Sequence, residues 1–311
     1  MADASRPDLV DARVVALLGG IDATPIGGGH QARVLRVRRH DGEVIAKLID
    51  PTMTERAQLE VRVALVEALA DLHPGVCRPL RIDGRLVTGI DAGIDIGTGI
   101  GTGIGTGTGE PSVLLVCVEL ADGRALDVAD PADAHLMGAS LRVLHAAMRT
   151  LPPGPLPIVH AFRNAPDAAT AGLDSAQLLH GDFNSGNLRL TTDGVVRIFD
   201  FEDCGYGPPE FDVANAIYMV LFDALVGGDP ATATTFRSAF LAGYRDDATD
   251  AFGAGPTVDD SAIDRLVDAR IEALAGWLSD LSTAPIGVRT SNDEWRATLG
   301  SVVASYRTMQ R

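Results

Sequence analysis

The sequence predicts an α+β protein in two lobes. Residues 1–120 form a small lobe built on an antiparallel sheet with one main helix, and residues 121–311 form a larger, mostly helical lobe. Three observations carry this. Short runs of β-prone residues joined by glycine turns fill the first third, as in Ala32–Val37 and Glu43–Ile49 around Asp41-Gly42. The last third has no such runs and shows apolar residues at helical spacing instead. Between them lies an isolated hairpin signal, Asp193-Gly194, flanked by two short apolar-alternating runs. At 311 residues the chain is long enough to bury two cores.

Residues 1–20 read as a short helix, with Leu9, Val14, Ala16, Leu17 and Leu18 on a loose apolar face before Gly19-Gly20. Gly27-Gly28-Gly29 then interrupts two antiparallel strands. Backbone N–H groups at Gly28 and Gly29 are placed to cover phosphates, although three glycines without spaced intervals also suit a plain turn. The next strand contains Lys47, the single lysine beside 25 arginines. A compact ammonium binds phosphate oxygens as a point charge, which a planar guanidinium does not imitate. Lys47 is therefore a functional candidate.

Thr54–Leu72 reads as a helix with Leu59, Val63, Val66 and Leu69 on one stripe. Pro74 and Pro79 break the chain before a strand around Leu80–Val87. Residues 89–109 alternate glycine with isoleucine and threonine; they lack a core-forming pattern and are expected to be a flexible insertion. Val113–Leu120 is a buried strand by length and apolarity. Pro131–Arg149 is a helix in which His145 reads as a core residue rather than a ligand. Helices are further expected over Val213–Val226, Ala231–Tyr244, Ser261–Leu281 and Asn292–Met309.

The most informative stretch is His180–Phe201, HGDFNSGNLRLTTDGVVRIFDF. A two-residue turn at Asp193-Gly194 pairs Thr192 with Val195 and sets Asn187 opposite Asp200. Directly opposed residues have Cβ atoms about 4.5–5.5 Å apart, close enough to share one hard cation. Asp182 enters the same loop five residues before Asn187. Two carboxylates and an amide around one cation suit phosphoryl transfer: the cation neutralises phosphate charge, and the free carboxylate orients a hydroxyl. From the hairpin alone, a surface turn with ordinary polar ends is the alternative.

His180-Gly181-Asp182, Asn187 and Asp200-Phe201-Glu202 resemble the H-G-D-x-x-x-x-N and I-D-[FW]-E signatures of the aminoglycoside phosphotransferase family. Gly207-Pro208-Pro209 and Asp212-Val213-Ala214 resemble the G-[DP]-P and D-[LV]-A found after those signatures in the family. The resemblance implies the two-lobed protein-kinase-like fold, with Asp182 as catalytic base, Asn187 and Asp200 as magnesium ligands, and Asp212 as a brace for the catalytic loop. It also makes Val44-Ile45-Ala46-Lys47 similar to the lysine strand of a kinase N-terminal lobe. A glutamate of the following helix would pair with Lys47, Glu60 or Glu67, with Glu60 preferred. It makes Glu119–Gly123 similar to the interlobe hinge, where the Glu119 carbonyl and Ala121 amide would meet adenine. The implied co-substrate is ATP or GTP with Mg2+. Asp-Phe-Glu in place of Asp-Phe-Gly favours small-molecule kinases over protein kinases.

Composition narrows the partners. The net charge is −16, of which −12 falls from Ala121 onward, which disfavours nucleic acid and suits a cationic substrate. No apolar run is long enough for a membrane span, and the first residues lack a secretory pattern. Cys77, Cys117 and Cys204 have neither metal-ligand spacing nor an even number, which suits a reducing cytoplasm. The expectation is a cytoplasmic phosphotransferase, monomer or homodimer, acting on a hydroxyl of a small molecule. A bacterial Ser/Thr protein kinase and a nucleotide-binding regulatory module are the alternatives.

Overall fold

The computed structural model describes residues 6–26, 32–52, 54–90, 112–152, 154–156, 177–246 and 257–310. Gly28 and Gly29, most of the repeat at 89–109 and the segment 162–172 lie outside the described residues. The chain divides into two compact units, Met1–Asp71 with Val76–Ala121 and Leu72–Gly75 with Asp122–Arg311.

The first unit holds α1 (Arg6–Leu17), α2 (Arg56–Leu72) and an antiparallel sheet of β1 (Gly20–Ile26), β2 (Ala32–Arg39), β3 (Gly42–Ile49), β4 (Pro79–Leu80), β5 (Thr88–Ile90) and β6 (Val113–Glu119). The sheet order is β1-β2-β3-β6-β4, with β5 also on β6. Alternation along the strands builds two apolar layers. Val44, Ala46, Leu48, Leu115 and Cys117 pack with Val14 and Leu18 beside α1, while Ile49, Leu114 and Val116 pack with Leu59 and Val63 of α2. The same alternation puts half-buried Lys47 on the α2 face, opposite Val34 and Val116. Burial pushes the Cys117 thiol up to about 12.

Two local expectations are corrected. The β2–β3 turn consists of His40 and Asp41, with Gly42 already paired to Arg39. The strand expected over Leu80–Val87 is broken by a turn at Asp83 and Gly84, both with positive φ, between the bridged residues Ile82 and Arg85. Asp and Gly tolerate the left-handed region, so Asp-Gly turns the chain here where a strand was expected.

The second unit carries α3 (Pro131–Thr150), α4 (Glu210–Gly227), α5 (Pro230–Arg245), α6 (Asp260–Ser279), α7 (Ile286–Arg289) and α8 (Asp293–Met309). Its strands form two small antiparallel pairs: β7 (Gln177–Leu179) with β10 (Gly205–Gly207), and β8 (Leu188–Leu190) with β9 (Val196–Ile198). Asp130, Asp259 and Asn292 cap α3, α6 and α8, each side chain accepting from a first-turn N–H. The helices expected over the last third are all present, with ends shifted by at most three residues.

α3 and α5 approach through two glycines. A Cβ on Gly138 would lie 1.9 Å from the Phe240 carbonyl oxygen, and one on Gly243 would lie 2.0 Å from that of His135. Backbone cannot yield as a flexible side chain does. Gly138→Ala is therefore expected to cost about 3 kcal/mol, an overpacking penalty. Gly300→Ala on α8, where a Cβ meets nothing within 4 Å, is expected to be neutral or slightly stabilising. Urea unfolding midpoints of the two variants check this contrast.

The hairpin β8–β9 is clamped on both sides. Arg124 and Leu190 exchange backbone bonds of 3.0 and 2.8 Å, and Ile198 N–H donates to the Gly75 carbonyl at 2.8 Å. Gly123 and Gly75 permit this approach, since a Cβ on either would sit 2.4 Å from a hairpin carbonyl. The clamped hairpin is the platform for the polar loop that precedes it.

Candidate active site

The loop begins where buried β7 ends. His180 is fully buried, its ring edge-on to Phe183 and 4.4 Å from that of Phe201. Its Nε2–H donates to the Phe199 carbonyl at 3.0 Å, and Nδ1 accepts the Asp182 N–H at 3.3 Å. Those two partners select the neutral Nε2–H tautomer. Gly181 takes φ +86, and a Cβ there would lie 2.1 Å from the Asp203 carbonyl oxygen, so this position accepts only glycine.

Asp212, in the first turn of α4, is fully buried. Its carboxylate accepts the His180 N–H at 2.8 Å and the Gly181 N–H at 2.9 Å. His145 of α3 adds Nε2 at 3.1 Å, and its Nδ1 meets the Tyr244 hydroxyl at 2.8 Å. The Tyr244 pKa is raised well above its ordinary value, first by burial and then by Asp212 and Glu210, so the phenol stays protonated. Three helices thus pin the start of the loop through one carboxylate. His145, read from sequence as a core residue, is indeed buried, and it is also part of this brace.

Asp182 follows with a half-buried carboxylate held from two sides. Asn187 Nδ2 donates to the Asp182 carbonyl at 2.9 Å and to Oδ2 at 3.2 Å. Asn215 Nδ2 donates to Asp182 Oδ1 at 3.3 Å and to the Phe183 carbonyl at 3.1 Å. The Asn215 oxygen in turn accepts from Arg270 Nη1 of α6 at 2.6 Å. Arg270 lies 4.5 Å over the Tyr218 ring.

The hairpin register differs from the sequence expectation by one residue. Leu188 pairs Ile198 and Leu190 pairs Val196, so the loop has three residues, Thr192–Gly194. Asn187 therefore sits opposite Phe199, whose N–H donates to the Asn187 carbonyl at 3.1 Å, and Asp200 lies one residue beyond. A two-residue type I′ turn needs positive φ at both central positions, yet only Gly194 has it here. The Thr191 hydroxyl fixes the alternative by accepting the Val195 N–H at 3.0 Å and donating to Asp193. Asn187 itself lies on a short 3-10 turn, Ser185–Asn187, rather than in the strand.

Asp200 has φ +68, one of two non-glycine residues with positive φ among those described. Such a backbone costs about 1–3 kcal/mol and persists where surrounding structure enforces it. With the Asn187 Nδ2 turned to Asp182, its amide oxygen is the acceptor end. An amide oxygen and a carboxylate are each hard-oxygen donors of the kind that suits Mg2+.

The remaining candidates belong to the first unit. Glu60, the glutamate preferred for Lys47, is exposed and accepts from Arg56 Nε at 2.8 Å, one helical turn away. Glu67 is likewise taken by Arg81, through two guanidinium nitrogens. Glu119 ends β6, and its carboxylate accepts the Arg78 N–H at 3.1 Å. Ala121 is the last residue of that unit.

Sequence reasoning missed Asn215 and Arg270. Asn215 was within reach, because it follows Asp212 by three residues on one helix and so shares its face. Arg270 carries no local signal.

The profile of the phosphotransferase enzyme family (APH) matches residues 22–255. A microcompartment-associated aminopropanol kinase superposes with a TM-score of 0.65 at 16% identity, covering 95% of each chain. A spectinomycin phosphotransferase solved with ADP and spectinomycin gives 0.58 at 14% identity over 96% of this chain and 98% of that one. Ethanolamine kinase of Plasmodium vivax gives 0.51 at 12% identity, covering 91% and 81%. An uncharacterized protein of Synechocystis is 34% identical over 64 residues, which is 21% of this chain and 16% of that protein. The structural likenesses place the fold among the kinase-like folds. The profile match spans most of the chain, from the β-sheet unit through the Asp182 loop and α4 and α5, and the chain belongs to the phosphotransferase enzyme family.

Proposed function

We propose that this protein transfers the γ-phosphoryl group of ATP or GTP to a hydroxyl of a small molecule, with Asp182 as the catalytic base. The observation that carries this reading is the Asp182 carboxylate, held by the Asn187 and Asn215 amides on a loop pinned by buried Asp212. A carboxylate so restrained can hold an acceptor hydroxyl in line and take its proton as the new O–P bond forms and the bond to the nucleoside diphosphate breaks. Asn187 and Asp200 would hold Mg2+, which when bound neutralises phosphate charge. Lys47 is the candidate cation for the nucleotide phosphates, and the Glu119 carbonyl and Ala121 amide are candidates for adenine. Arg270, stacked over Tyr218, reaches Asp182 through Asn215 on the same unit.

Two fold neighbours are named for amino-alcohol acceptors, aminopropanol and ethanolamine. The −12 balance from Ala121 onward favours an amine-bearing acceptor of that kind or a cationic aminoglycoside. The test is transfer of γ-labelled phosphate from ATP and GTP, with Mg2+, to a panel of amino alcohols, aminoglycosides, sugars and amino acids. Label on one small-molecule class supports the reading and names the acceptor. Label found only on protein, or on nothing, would overturn it.

A further inference from the structure

We propose that Arg270 is a positioning residue for phosphoryl transfer, acting through Asn215 to fix the orientation of the Asp182 carboxylate. The inference rests on the reading of Asp182 as the catalytic base.

Arginines on this surface generally meet carboxylates: Arg56, Arg78, Arg81, Arg124, Arg237, Arg245, Arg296 and Arg307 all do. Arg270 departs from that habit. It is half-buried on α6 and takes no part in these ion pairs, although the Asp182 and Asp203 charges act on it. Its pKa is lowered, burial being the largest cause, with Tyr218 and Asp182 opposing. Its 2.6 Å bond goes to an amide oxygen, that of Asn215. Stability alone gives little reason to bury a guanidinium on a neutral acceptor, since an apolar side chain of similar volume is often as good or better.

The consequence lies at the other end of the amide. An amide has one accepting and one donating end. Arg270 can only donate, so Oδ1 of Asn215 must face it and Nδ2 must face away. Nδ2 there reaches Asp182 Oδ1 at 3.3 Å and the Phe183 carbonyl at 3.1 Å. Asn187 holds the other carboxylate oxygen. Each oxygen of Asp182 thus has its own amide donor, and the carboxylate plane is fixed from both sides. Arg270 locks one of those donors. The ring of Tyr218 under the guanidinium holds the arginine itself in place.

The test combines Arg270→Met, Arg270→Lys, Asn215→Ala and the double variant Asn215→Ala with Arg270→Met. Turnover of MgATP is read with the acceptor found in the panel and, in parallel, with water. Nucleotide affinity and thermal unfolding are followed alongside. Arg270→Met is expected to lower kcat about 30-fold, the scale of a small misplacement of a reacting group, with KM for MgATP and the unfolding midpoint little changed. Arg270→Lys, which keeps a charged donor, is expected to recover most of that loss. In the Asn215→Ala background the Arg270 substitution should change kcat less than about 2-fold, since both act on one path.

Full turnover in Arg270→Met overturns the inference, and so does an independent, multiplicative loss in the double variant. Loss of folding in Arg270→Met that Arg270→Lys does not repair would mark the arginine as structural and also overturn it. If wild type is active and Asp182→Asn is inactive, such a result leaves the phosphotransfer reading intact. An inactive wild type defeats both.

Discussion

Asp182→Asn is expected to lower phosphoryl transfer by about 1,000-fold while leaving nucleotide affinity within about twofold of wild type. The substitution is nearly isosteric and removes only the proton-accepting charge. Neither amide that holds the carboxylate is lost, but the new NH2 group faces one of the two donors now aimed at Asp182, Asn187 Nδ2 or Asn215 Nδ2. A small loss of stability accompanies the change for that reason, far smaller than the loss of turnover. Steady-state transfer rates measured beside nucleotide titration separate the two effects. An equal fall in affinity and turnover would instead point to a role in nucleotide binding.

Asp212→Ala should act through folding. The fully buried carboxylate satisfies the backbone N–H groups of His180 and Gly181 and the His145 ring. Alanine leaves these buried donors without partners, at about 1–3 kcal/mol each. The expected loss is about 3–5 kcal/mol, with the loop around Asp182 released before the helices melt. Tyr244→Phe removes only the outer member of the brace and is expected to cost about 1 kcal/mol. Denaturant unfolding of both variants checks the order, and equal losses would mean that the network is not graded outward from Asp212.

Much of this architecture was legible because it is written in periodicity. The apolar stripe Leu59, Val63, Val66 and Leu69 and the long helices of the last third appear where their spacing put them. The site was legible only in part. His180, Asp182 and Asn187 lie close together in sequence on one loop, whereas Asp212 reaches that loop across 32 residues and was pointed to only by its resemblance to a family motif. The hairpin register failed because Asp-Gly suggests a two-residue turn, whereas the Thr191 hydroxyl and the left-handed Gly194 favour three. The choice of Glu60 rested on one helix face, which cannot say which cation a carboxylate meets; Glu60 accepts from Arg56. Arg270 was invisible: it reaches Asn215 across 55 residues, and on α6 alone it reads as one more polar position.

The proposed reaction turns on a loop-held carboxylate that directs a phosphoryl group onto a small-molecule hydroxyl. Mass spectrometry of the best acceptor from the panel, after incubation with ATP and Mg2+, examines that step itself in wild type and Asp182→Asn. Wild type is expected to yield an acceptor carrying one phosphoryl group on oxygen, and Asp182→Asn to leave the acceptor unmodified. Phosphorylated acceptor formed at the same rate by both proteins would show that Asp182 is not the base.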